Sequence, residues 1–517
     1  MRLAPALALC ALASLTIPNS YAQDGSVLFK PPDKELRAVT LSASDGIFAS
    51  QAEIAKAMQT LADARFNVVL PCVWDGAYTL WHSPKAKETF GEDCDPAYGE
   101  RDVLAEVLFE AHRVGLEVVP CFEAGFTAKG ALLDKHPEWA ALASDGKPLV
   151  LGGERWADAL DPQVQQFFLD LVLELARNYD LDGIAGSQRF PALPATAAAK
   201  PAQRELYLKA GTGGSSTDPK DEKWCAWRTQ QLSAFAARVS GGLNPALEIV
   251  LMPHLAGAGP REWLQDPPAW IERKLAHALV LAGDSPSAEA ESKRIDALLA
   301  DPCTRRTSRS CAAAFRPRRA RPAPMRPSSK PARATTARRS SPARSSSARA
   351  LLANEAALAV ALADEPYDYP MVPPWRDAEG WRPVPIQTRP QAGSGKWQFP
   401  ASDGPMVMTL DGTLAGEASW TARVPVAGTY DVYTWIAPDQ SLGEIAKYKL
   451  AAKNGLQTIQ LRVGPAACRG WRRVGEVVLP ENEEFEVARF DAIEKDGTKV
   501  SAVGPLLLLL DRTAGRR

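Results

Sequence analysis

The chain is poor in the residues from which metal and redox centres are commonly assembled. It has five histidines and eight cysteines in 517 residues. No two cysteines stand at CxxC spacing, which excludes the paired-cysteine zinc motifs. Long apolar runs are also missing: beyond the N-terminal segment nothing approaches the ~20 apolar residues of a membrane-spanning helix, so no membrane span is expected. Charge of one sign is lacking as well, the net value being −1. That average hides an asymmetry. Residues 304–350 hold thirteen Arg, one Lys and no acid, which leaves −15 for the remainder. An acidic body is a poor surface for nucleic acid, and no nucleic-acid partner is expected.

The same stretch, 304–350, lacks Leu, Ile, Val and Gly, and is built almost entirely of Arg, Ala, Ser, Pro and Thr. It cannot bury enough apolar area to offset its ordering entropy. Two readings are open: a natural basic linker that binds an acidic surface, or an out-of-frame stretch of a GC-rich gene. The second accounts for its abrupt ends. Under either one, strands due in this region are absent.

What is present begins with a secretory signal pattern over residues 1–22. Arg2 supplies a positive start, Leu3 to Ile17 an apolar core, and Ser20-Tyr21-Ala22 a small-residue cleavage site. A secreted or periplasmic location follows as an expectation.

Downstream, amphipathic helix patterns alternate with apolar strands. Three such units end in Asn67-Val-Val-Leu-Pro-Cys-Val-Trp74-Asp75, in Leu116-Glu-Val-Val-Pro-Cys-Phe122-Glu123 and in Leu181-Asp182-Gly183-Ile184-Ala-Gly-Ser187-Gln188-Arg189. Continuous apolar strands separated by helices predict a parallel sheet buried on both faces. The expected fold is α/β, a (β/α)8 TIM-like barrel over residues 35–365, incomplete at strands seven and eight. Strand one is expected at 37–42, strand five at 247–252 and strand six at 278–282. A long loop is expected at 195–222 and a helix at 351–362. In such a barrel, residues just past each strand's C-terminal end line one cleft.

Beyond a linker at 366–390, short alternating strands with Gly and Pro punctuation predict a small all-β sandwich over 391–512. Residues 506–510, Leu throughout, read as a strand buried on both faces.

Several blocks running in order carry a family resemblance. They are Asn67 to Leu80, Gly115 to Phe126, His136-Pro-Glu-Trp139, Leu160-Asp-Pro-Gln-Val-Gln165, Tyr179-Asp-Leu-Asp-Gly-Ile184 and Trp224-Cys-Ala-Trp-Arg228. Together they resemble the glycosyl hydrolase-like 10 family, secreted bacterial barrels grouped with carbohydrate hydrolases. The C-terminal part is similar to golvesin-like sandwiches through Gly428-Thr-Tyr-Asp-Val-Tyr433 and Gly470-Trp471. The resemblance implies two adjacent acids after strand four, but Ser187 and Gln188 stand there. It also implies a tyrosine and an arginine near the end of strand six, where this chain has Gly283-Asp284.

Glycoside hydrolysis ordinarily needs two carboxyl groups, one to protonate the leaving oxygen and one to attack carbon or activate water. The candidate acids are Glu123, Asp182 and Asp75. Each has a plainer alternative: Glu123 as a salt-bridged rim residue, Asp182 as a cap on the turn before Gly183, and Asp75 as a solvated loop acid. Trp74, Tyr78, Trp81, Ser187, Gln188, Arg189 and His254 are candidates for substrate contact, the aromatics by stacking on sugar rings. Packing beneath a loop is the alternative for Tyr78 and Trp81. Trp224 and Trp227, which share a helix start with Arg228, read as core, and His82, His112 and His136 as surface or capping residues. No cofactor and no metal ligand set is implied.

Three functions fit these residues. The chain is an exported glycoside hydrolase acting on a polysaccharide, an inactive carbohydrate-binding relative, or a cell-envelope interaction protein that works through its sandwich.

Overall fold

The computed structural model describes residues 36–211, 218, 219, 221–254, 259–279, 373, 385–393, 397, 398, 408–410, 416–436, 445–452, 455–462, 470–492 and 502–511. The signal-peptide pattern, strand six beyond Leu279, the positions of strands seven and eight, the basic stretch, and nearly all of the linker lie outside the described residues.

In chain order the N-terminal strands are β1 (Ala38–Leu41), β2 (Val68–Pro71), β3 (Glu117–Val118), β4 (Cys121–Phe122), β5 (Thr127–Ala128), β6 (Val150–Leu151), β7 (Glu154–Trp156), β8 (Gly183–Gly186), β9 (Glu248–Leu251) and β10 (Ala278–Leu279). β1, β2 and β3 form one parallel sheet, and β4, β8, β9 and β10 another. A parallel bridge from Cys72 to Cys121 joins them. Pro120, which has no N–H to donate, divides what the sequence presents as a single third strand. Six parallel strands therefore stand side by side in chain order, as the alternating pattern predicts.

The helices match their sequence signals. Ser50 caps Gln51–Asp63, whose buried stripe is Ile54, Ala57, Met58 and Leu61. Asp102 caps Val103–Arg113. Asp161 caps Pro162–Asn178, with Phe167, Phe168, Leu171, Val172 and Leu175 turned inward. The expected loop at 195–222 is corrected in part, because it contains the helix Pro201–Lys209. Pro201 suits the first helical position, and Tyr207 anchors the helix against Trp224 and Trp227.

Among the described residues the C-terminal part holds a small antiparallel sheet of Trp397–Gln398, Met408–Leu410 and Ala502–Val503 and two larger antiparallel ones. One runs Ile386–Thr388, Leu506–Leu510, Gly428–Ile436, Gly470–Leu479. The other runs Gln391–Ala392, Gly416–Arg423, Glu484–Ala492, Ile445–Ala452, Gly455–Arg462. The first strand precedes the expected boundary at 391 because Ile386–Thr388 pairs with Leu506–Leu510. Alternation sends Tyr430, Val432, Thr434 and Ile436 inward, where Tyr430, Val432 and Ile436 join Trp420, Tyr448 and Phe490 in one core.

The outer face of the first larger sheet meets the barrel. Phe109, on helix Val103–Arg113, stacks on Tyr433 at 4.2 Å between ring centres and packs on Leu507 and Leu509. Leu506 and Leu508 face the sandwich core, so the five-leucine strand is covered on both sides.

Candidate functional site

The rim at the C-terminal ends of the parallel strands is set by strand register. Cys121 pairs with Ala185 and Phe122 with Gly186, so Glu123 stands level with Ser187 at the C-terminal ends of β4 and β8. The Ser187 hydroxyl donates to the Glu123 carbonyl at 2.6 Å and accepts the Arg189 N–H at 3.1 Å. Gly125, at φ +54, allows the next turn to lie against Arg189: a Cβ there would sit 2.1 Å from the Arg189 carbonyl oxygen. The loops after β4 and β8 are thereby held together.

Glu123 is half-buried, and among the described residues its carboxylate has no hydrogen-bond or ion-pair partner. No salt bridge holds it among the described residues. Nearby, the Cys72 thiol is pushed well above its ordinary value by burial, and further by the charges of Glu123 and Asp75. Tyr98 is pushed up to about 12 by burial together with Asp95 and Asp75. Asp75 is exposed, and its Oδ1 accepts the N–H groups of Ala77 and Tyr78, each at 2.8 Å. Its first task is to close the turn.

Across the rim, Arg189 pairs with Glu154 at 2.9 Å. His254 lies flat on Trp263, with ring centres 4.5 Å apart and planes within 10°. Gln265 ties this side together. Its amide donates to the carbonyls of Gln188 and Pro191, each at 3.1 Å, and its oxygen accepts the His254 N–H at 2.8 Å. Trp263 and Gln265 escape a strand-end search because they lie well past β9, and only their contact with His254 exposes them.

Three expected site residues are corrected. Asp182 precedes β8 and is level with Val118, five residues before Ser187, which places it about 16 Å along the strand from the Glu123 level. It is fully buried at the opposite end of the sheet, where it accepts the Val118 N–H at 2.8 Å and meets His112 Nε2 at 2.8 Å. It cannot share a substrate with Glu123. His112 is correspondingly buried rather than a surface group. Trp74 is fully buried among Phe90, Phe167 and Phe168, with its indole N–H donating to the Gly125 carbonyl at 3.0 Å. Trp81 is likewise buried, and its indole N–H donates to Glu174 at 2.6 Å. Neither indole can stack on a sugar. Gly283-Asp284 lies outside the described residues.

The rim therefore gathers Asp75, Tyr78, Glu123, Ser187, Gln188, Arg189 and His254 at one end of the sheet. It offers one carboxylate without a partner among the described residues, hydrogen-bonding groups and an aromatic pair. That set can hold a hydroxyl-rich ligand.

A comparison with curated proteins finds no match. Among solved structures, the chain is similar to the glycoside hydrolase domain of PgaB from Bordetella bronchiseptica. The identity is 16%, with 53% of this chain and 81% of that one covered at a TM-score of 0.39. It is similar to α-L-fucosidase isoenzyme 2 from Paenibacillus thiaminolyticus at 16% identity, with 42% and 32% covered and a TM-score of 0.33. The chain thus spans about a third of the fucosidase's length. The catalytic domain of β-amylase from Paenibacillus polymyxa matches at 12% identity, 52% and 83% coverage, and a TM-score of 0.37. The glycosyl hydrolase-like 10 family model matches residues 35–302, more than half of the sequence. The chain belongs to the glycosyl hydrolase-like 10 family.

Proposed function

We propose that this is an exported polysaccharide-binding protein that holds its ligand at the barrel rim, without cleaving it. The observation that carries this reading is the isolation of Glu123, a half-buried carboxylate with no partner among the described residues. A group in that state is suited to accept hydrogen bonds from sugar hydroxyls. The partner that two-carboxylate hydrolysis would need from strand four is missing: Ser187 stands level with Glu123, and Asp182 lies at the far end. Gln188, Arg189, Tyr78 and the His254–Trp263 pair supply further polar and stacking contacts. The signal pattern at residues 1–22 supports export.

A second reading is hydrolysis, with Glu123 as acid and Asp75 as the second carboxylate. It is favoured by one fact: both charges act on the same Cys72 thiol.

Calorimetric titration with a panel of bacterial polysaccharides, beside a reducing-end assay, separates the two. Binding without turnover, weakened about tenfold or more in Glu123→Gln, is expected from the loss of hydrogen bonds to a charged acceptor. Turnover abolished by Glu123→Gln selects hydrolysis. Neither binding nor turnover on any glycan would sink both readings.

A further inference from the structure

Between β2 and helix Val103–Arg113 the chain makes a closed excursion. Ser83 caps the helix Pro84–Phe90, and Gly91, at φ +96, ends it and returns the chain beside its own start. The two limbs are pinned together. The Asp93 carbonyl accepts the Ser83 N–H at 2.7 Å and the Thr79 hydroxyl at 2.8 Å, and the Asp95 N–H donates to the Thr79 carbonyl at 3.2 Å. This lacing brings His82 against Asp93 and Cys94, eleven and twelve residues away.

His82 Nδ1 stands 3.4 Å from Asp93 Oδ2, and His82 Nε2 stands 4.0 Å from the Cys94 sulfur. One ligand atom from each of the three residues falls within 4.8 Å of the others. The thiol is buried, whereas the imidazole and carboxylate are about one-third exposed and leave an open side for water. A tetrahedral zinc ion with bonds of about 2.0–2.3 Å needs ligand atoms about 3.3–3.7 Å apart, so small side-chain rotations bring the three atoms onto one ion.

The surrounding charge has the matching sign. Burial raises the Cys94 thiol, and the negative charges of Asp93, Asp95, Glu100 and Asp102 raise it further. A field that opposes a lone thiolate attracts a cation, and the cation in turn stabilises the thiolate. Lys87, 3.6 Å from Asp93 and 67% exposed, is the one lysine or arginine among the described residues that meets this carboxylate, and it can swing into solvent.

We propose that His82, Asp93 and Cys94 form a binding site for a zinc-class divalent metal that clasps the excursion after β2. The imidazole, carboxylate and thiolate set favours a borderline ion over calcium or magnesium, which prefer all-oxygen shells. The fourth position belongs to water. The site lies outside the rim residues proposed to hold glycan, so its fate is independent of that reading.

The test uses the whole protein, reduced and stripped with a chelator. Zn2+ is titrated against a chromogenic competitor, and Co2+ serves as a spectroscopic substitute. The expected result is one competing site and a sulfur-to-cobalt charge-transfer band. Cys94→Ser should remove the band, and His82→Asn and Asp93→Asn, at partly exposed positions that fold more safely, should each weaken Zn2+ about tenfold or more. Cys72→Ser and Cys225→Ser should leave the band intact. No band in the parent protein, a band that survives Cys94→Ser, or unchanged affinity in His82→Asn and Asp93→Asn would overturn the proposal.

Discussion

His112 Nε2 and Asp182 Oδ2 meet at 2.8 Å with both side chains sealed from solvent, below the N-terminal end of β8. The strand's other end carries Ser187 and the rim. An acid that looks catalytic beside its Asp-Gly-Ile motif is thus a buried fastening between helix Val103–Arg113, β3 and β8.

Asp182→Ala should therefore act on stability. It leaves the Val118 N–H and the His112 ring without their buried acceptor, and breaking such a pair costs about 3–5 kcal/mol. Urea unfolding checks the loss. Glycan affinity per folded molecule should stay at the parent value.

Phe109→Ala should loosen the contact between barrel and sandwich. The stacked ring on Tyr433 and its apolar neighbours Leu507 and Leu509 are lost, at a cost of about 3–5 kcal/mol to the joined state. Calorimetry should show the two halves melting further apart in temperature than in the parent chain.

Gly125→Ala should damage the rim. The residue has φ +54, and the new methyl group would collide with the Arg189 carbonyl, so the loops after β4 and β8 must separate. A fall in glycan affinity with the sandwich core still folded, read by near-UV circular dichroism and titration, is the expected outcome.

Alkaline pH should weaken the sandwich through Tyr448. Its phenol is buried and pushed up to about 12, whereas an unfolded tyrosine ionises near 10. The unfolded chain releases this proton first, so the stabilisation is complete below about pH 10 and is lost as pH rises to about 12. The difference amounts to roughly 3 kcal/mol. Tyr448→Phe should flatten that part of the stability profile, measured by denaturant unfolding across the interval.

Much of the architecture was legible in residue order. The runs at Val68–Pro71, Gly183–Gly186 and Glu248–Leu251 carry the apolar signature of strands covered on both faces, and they lie parallel as that signature requires. Ser50, Asp102 and Asp161 are residue types that favour helix caps, and each caps a helix here. Phe109 held a readable clue, being an aromatic off the stripe of Leu104, Val107, Leu108 and Ala111, and the sandwich is what covers it.

The site was legible only in outline. Trp74 and Trp81 sit where a sugar platform could stand, yet an indole after a strand can turn toward solvent or toward the core, and three phenylalanines take Trp74 inward. Sequence alone determined the alternation of strand and helix, because burial leaves a period in the residue types. Tertiary structure alone decided that Glu123 looks out at one end while Asp182 is locked at the other. Which end of a strand a polar residue occupies depends on register with neighbours far away in the chain, and no local pattern encodes it.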